Sequence, residues 1–223
     1  TLELILYFPV VGFLFLASTH ITFSVWFFYV VAVLQEGLTN LVGYEVHSPD
    51  AFVWGMQSLS WQAWGAFVAM VLWSLWMARG HLRAVVLHVF GRSTTLDDRR
   101  EMLPYRLAVY GGLAGLAGIF AWLVASGMSA ACALLFMFAA FVAYIGIARL
   151  VVQSGLYYLT TPVVGQAFAT AVTGTAVAPS SLVSLSLAYG WHGDVQSVFM
   201  PSVANAARLN GQVRGDRSLA WAI

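Results

Sequence analysis

Of 223 residues, 61% are hydrophobic and only 9% are charged, where an ordinary soluble domain has about 45–50% and about 25%. A water-facing surface cannot be assembled from that supply, which excludes a conventional soluble domain. All ten basic residues are Arg and the net charge is +1, so there is no basic surface for nucleic acid, and the single cysteine, Cys132, excludes a disulfide framework or a thiolate metal centre.

The chain opens with two apolar runs, Leu4 to Ser18 and Phe23 to Leu34, separated by Ser18-Thr19-His20. Each is shorter than the roughly 20 residues that cross a hydrocarbon core of about 30 Å. They are expected to form either one kinked span plus a partial one, or two short tilted spans. Gly43 to Asp50 reads as a polar loop. Ala51 to Ala78 reads as a full span, with Trp54, Trp61, Trp64, Trp73 and Trp76 grouped towards its ends like an aromatic belt. In Gly80 to Arg92, Leu82, Val85, Val86, Val89 and Phe90 repeat at the spacing of one helical face, which predicts a helix lying in the membrane interface.

After the polar loop Ser93 to Pro104, spans over Arg106 to Ala125 and Ser129 to Val152 are expected to form an antiparallel hairpin turning at Gly127. Gly111, Gly112, Gly115 and Gly118 predict a face against which a neighbouring helix packs closely. Tyr157 to Tyr189 is rich in Thr, Ser, Gly and Ala and is punctuated by Pro162, Gly165, Gly174 and Pro179. Irregular backbone at membrane depth is tolerated only where protein or water satisfies it, so a discontinuous or re-entrant element is expected. An amphipathic helix should follow from Asp194, with Asp194 at its positive N-terminal end. The chain therefore reads as all-α, a polytopic transmembrane protein with about five to six membrane segments plus interfacial amphipathic helices. It forms one membrane region over 1–223, and both ends read as cut from a longer chain.

Six of the ten arginines lie between Arg79 and Arg106, which places the 79–106 loop in the cytoplasm by the positive-inside rule. Arg149 reads as an arginine inside the apolar stretch Phe141 to Leu159, with Gln153 one turn on. Such residues face a cavity or a partner, or snorkel from near a helix end. Thr160, Thr161, Gln166, Ser180 and Ser181 form a polar seam that, with Asp194, is a candidate substrate path. The alternative role for the seam is hydrogen bonding between helices. His20, His47, His81, His88 and His192 include no i, i+4 metal pair. His20 suits a haem or pigment axial position but lacks a second ligand or attachment motif, so neither cofactor nor metal is expected. No phosphate loop, dinucleotide fingerprint or nucleophile elbow is present, and no enzymatic activity is expected.

Several residues carry a resemblance in their order along the chain: Tyr7-Phe8-Pro9, Gly12-Phe13-Leu14, Thr22 to Phe28, Trp76 to Leu82, Glu101, Tyr105-Arg106, Ala148-Arg149-Leu150, Gly155, Pro179 to Leu182, Gly193-Asp194 and Met200-Pro201. Together they resemble an uncharacterised bacterial family of multi-pass membrane proteins, sometimes described as oligopeptide-transporter-like. The resemblance covers nearly the whole chain and implies a bacterial cytoplasmic-membrane location and longer family members, but no substrate. Two positions depart from the family pattern: Gln153 stands where an acidic residue is expected and Gln196 where a basic one is expected. The leading functional expectation is a secondary-transporter-like protein for a small solute. The alternative is a non-enzymatic accessory subunit of a membrane complex. The expected partners are the lipid bilayer, other membrane subunits or further helices of the same protein.

Overall fold

The computed structural model describes residues 12, 15, 19–43, 57–91, 103–154, 160–174, 177–192 and 199–213. They contain seven helices: α1 (Thr19–Val42), α2 (Gln57–Val89), α3 (Tyr105–Ala125), α4 (Ala130–Ser154), α5 (Gly165–Thr173), α6 (Pro179–His192) and α7 (Phe199–Val213). No strand occurs among the described residues, in keeping with the all-α expectation. The chain divides into two compact units, Thr1–His47 with Met56–Leu59, and Ser48–Gly55 with Ser60–Ile223.

In the first unit, α1 does not stop where the second apolar run stops. It continues through Gln35 and Glu36 to Val42 and ends at Gly43, whose φ of +73° is the left-handed conformation that closes many helices. Leu38, Leu41 and Val42 carry the apolar pattern past the polar pair, and the stretch Thr22–Val42 is long enough to cross a bilayer. Its large side chains, Phe23, Trp26, Phe28 and Leu38 among them, are exposed. The Leu4 to Ser18 run lies outside the described residues apart from Gly12 and Phe15, as does most of the Gly43 to Asp50 loop.

The second unit is built around α4. Half of its span is buried, against almost none of α3. Small residues make this possible: Cys132, Ala133, Ala139, Ala143 and Ala148 line the buried side of α4, and Gly146 lets α2 come close enough that a methyl group there would lie 2.6 Å from Phe67 Cδ1. One apolar cluster joins Leu123 and Met128 to Cys132, Ala133 and Phe136 of α4, Ala169 of α5, and Leu185 and Ala188 of α6. A second joins Trp64 and Val71 of α2 to Ala139, Val142 and Ala143 of α4, with Val163 from the segment before α5.

The hairpin is as expected within one or two residues. α3 ends in a Schellman motif: Gly127 N–H donates to Val124 O at 3.0 Å and Met128 N–H to Leu123 O at 3.2 Å. Gly127 takes the φ of +99° that this motif requires, and Leu123 and Met128 meet in the first cluster.

Two expectations are corrected. The proposed span Ala51 to Ala78 and interfacial helix Gly80 to Arg92 are one helix, α2, of 33 residues, about 50 Å long at 1.5 Å per residue. Gly80 does not break it; Arg79 Nη1 donates to Trp76 O at 2.9 Å and its guanidinium lies 4.5 Å from the Trp76 ring centroid. Residues 79–89 are therefore helix and not loop. Among the described residues, three helices are long and apolar enough to span: α1, α3 and α4. Second, the glycine face of α3 is open among the described residues: none of their atoms lies within 4 Å of a methyl group built at Gly111, Gly112, Gly115 or Gly118. Small residues permit a close neighbour without specifying one.

Candidate functional site

The expected discontinuity lies beside α4. Pro162 has no N–H and a fixed φ, and Val164 is extended with ψ 155°, so the chain leaves α4 and reaches α5 without a helical turn between residues 160 and 164. α5 then runs for nine residues to Gly174, whose φ is +60°, and α6 for fourteen from Pro179. Both are too short to cross a bilayer. The break lies level with the middle of α4: Val163 shares a cluster with Ala139, Val142 and Ala143, the central residues of the apolar stretch Ala130–Gln153.

Gly165, which opens α5, lies tight against Phe136. A methyl group there would lie 3.2 Å from Phe136 Cδ2 and Cε2 and 3.4 Å from its carbonyl oxygen. The next residue, Gln166, is 2% exposed, and neither Oε1 nor Nε2 has a hydrogen-bond partner. An unsatisfied buried amide costs roughly 1–3 kcal/mol. No side chain caps α5. Its first internal bond runs from Phe168 N–H to Val164 O at 3.1 Å, which leaves the N–H groups of Gly165, Gln166 and Ala167 without acceptors inside the helix. On the other side of α5, Trp64 packs against Phe168 with ring centroids 5.7 Å apart, and its Nε1 is also buried without a partner.

The remaining candidates separate into groups. Ser181 accepts the Ser129 N–H on Oγ at 2.9 Å, and Ser184 Oγ donates to Ser126 O at 2.8 Å, with Ser180 O 3.0 Å away. These hydroxyls satisfy backbone groups that the α3–α4 turn leaves over. Ser180 itself is exposed, with Cβ 3.6 Å from where a Gly127 methyl would sit. Ser181→Ala is expected to cost about 1 kcal/mol of stability, because it strands the Ser129 N–H. Ser186→Ala, which loses only a bond to Leu182 O within its own helix, should be close to neutral. Thermal melting of the two purified variants checks the difference.

Thr161 is buried and Thr160 exposed. Thr170 and Thr173 turn their hydroxyls back onto Gln166 O, Ala167 O and Ala169 O. Arg149 is half-buried and Gln153 exposed. The described part of α4 extends to Ser154, and residues 155–159 of the expected Phe141 to Leu159 stretch lie outside the described residues. At the same end of α4, Arg208 of α7 donates from Nη1 to Val152 O, placing a cation at the negative end of the helix dipole. Asp194 lies outside the described residues.

The sequence reading passed over Glu36. Its Oε2 is buried without a partner, and it lies inside the Thr22–Val42 stretch. An ionisable residue at membrane depth is a functional candidate by default. The signal was available in the apolar residues that resume at Leu38, Leu41 and Val42.

Long apolar helices with lipid-type surfaces, packed on small residues around α4, define an α-helical membrane protein. More narrowly, the chain belongs to the family of unknown function DUF6785, whose model matches residues 1–223. That agrees with the expected membership of an uncharacterised family over nearly the whole chain. No curated protein and no solved structure matches it.

Proposed function

We propose that this chain is the translocating part of a non-enzymatic membrane carrier for a small solute, with its site where the helical backbone breaks beside the middle of α4. The observation that carries the reading is the coincidence of that break with Gln166, a fully buried polar side chain left unpaired. Half-helices whose ends meet at mid-membrane give a transporter exposed N–H and C=O groups that replace a solute's hydration shell. In this reading the protein resides in a bacterial cytoplasmic membrane with the arginine-rich 79–106 segment inside, and Arg149, Gln153, Thr160 and Thr161 flank the path. The likeness to oligopeptide transporters belongs to this proposal.

The test is isosmotic swelling of proteoliposomes holding the full-length protein, followed by light scattering with a panel of small neutral and zwitterionic solutes. At least one solute should enter faster than in protein-free vesicles. Arg149→Ala should slow that entry about tenfold, as expected for one lost charge-assisted contact. Unchanged entry in Arg149→Ala would remove Arg149 from the path.

The second reading, an accessory subunit, is favoured by the open glycine face of α3, which suits a close helix from another protein. A large partner co-purifying in fixed ratio from mild detergent, with no solute entering the vesicles, would establish it over the first.

A further inference from the structure

We infer that the first turn of α5 binds the amide-type end of a small solute, a carbonyl oxygen beside an N–H, with Gln166 as the reading residue. This rests on the carrier reading above and names the chemistry of its ligand.

Two observations meet at one end of one helix. The N–H groups of Gly165, Gln166 and Ala167 have no intrahelical acceptor, and no side chain caps them. Gln166 is 2% exposed with both amide atoms unpaired. Helical side chains lean towards the helix N-terminus, so the carboxamide and the free N–H groups share that end.

Complementarity then fixes the ligand class. The backbone N–H groups and Nε2 are donors and call for an oxygen acceptor, while Oε1 calls for a donor. A carboxamide or peptide group offers both, side by side. A carboxylate offers only acceptors and would leave Oε1 unmatched. The clusters on either side of α5 are apolar, so a full charge there would be balanced only by the helix end, equivalent to about half an elementary charge. A neutral amide is less costly to desolvate at this depth. Gln166 is thus kept against its burial cost because a ligand completes its hydrogen bonds.

The experiment uses full-length protein in mild detergent and acetamide as the probe, with acetate and acetone as controls of similar size that lack the N–H. Acetamide should raise the melting temperature of the native protein along a saturating curve, as mass action on a folded-state site requires, and the controls should do so less. The shift should disappear in Gln166→Leu and in Gln166→Met, which remove both polar atoms while filling similar space. Without ligand, both variants should melt at or above the native temperature, since they abolish an unpaired buried amide. Equal acetamide shifts in native and variant protein, or no shift in the native protein, would overturn the assignment.

Vesicle swelling separates this failure from failure of the carrier reading. Acetamide entry that persists in Gln166→Leu leaves the carrier and removes the site. A Gln166-dependent melting shift with no entry of any solute leaves the site and removes the carrier.

Discussion

Gly146→Leu is expected to lower stability by about 2 kcal/mol or more, while Gly115→Leu leaves stability unchanged or raises it by up to about 1 kcal/mol. Both substitutions gain helix propensity, roughly 0.8–1 kcal/mol for leaving glycine, so the sign is decided by what the new side chain meets. At Gly115 a methyl group has no described atom within 4 Å. At Gly146 a methyl group alone would lie 2.6 Å from both Phe67 Cδ1 and Cε1, and 3.6 Å from Met70 Cε. The ring must move before the branched part of a leucine is placed. Overpacking of this kind costs typically 1–3 kcal/mol and occasionally more. Melting of the detergent-solubilised variants measures the contrast, and Phe67→Ala supplies the cause: in the double variant the leucine can take the space of the ring, so much of the loss should return as a favourable coupling energy. If Gly146→Leu and Gly115→Leu melt alike, or Phe67→Ala returns nothing, α2 does not seat on α4 through Gly146.

The same contact shows what was legible in the sequence and what was not. The hairpin of α3 and α4 was readable because its information is local: two apolar stretches of spanning length and a glycine at the one position that needs a positive φ. The break at Pro162 and the short helices after it were readable for the same reason. The continuity of α2 was harder, since Arg79-Gly80-His81 looks like a boundary. Yet Trp64, Val71, Ala78 and Val85 stand seven residues apart and lie on the covered side of one helix, so the phase of the stripe runs unbroken through Gly80.

Gln166 was identifiable as a polar residue in an apolar setting, but its isolation was not. That depends on Phe136 standing over Gly165, and on Leu185 and Ala188 of α6 closing the cluster around Ala169, contacts between residues far apart in the chain. Ser181 shows the converse. From its neighbours it belonged with Gln166, and only the folded arrangement shows its hydroxyl committed to Ser129.

Phe136→Ala is expected to cost about 2–3 kcal/mol. The ring is 1% exposed, in a cluster with Leu123, Met128, Cys132, Ala133, Ala169, Leu185 and Ala188. In water-soluble proteins Phe→Ala in a core costs about 3–5 kcal/mol, transfer and cavity terms together. Here the unfolded reference keeps the side chain in lipid, which is as apolar as the core, so the transfer term largely cancels and the cavity term remains. Leu134→Ala, two residues away on the opposite face of α4 and 58% exposed, should cost little, and equal losses at the two positions would show that α4 is not buried on the α5 side. Gly165→Ala gives the finer test. In the native background its methyl group must displace the Phe136 ring by a few tenths of an ångström; in Phe136→Ala it enters vacated space and gains helix propensity of about 1 kcal/mol. The substitution should therefore be neutral or harmful alone and stabilising in the truncated background. That reversal of sign would establish that the ring of Phe136, by fixing Gly165, also fixes where the first turn of α5 and the Gln166 carboxamide stand.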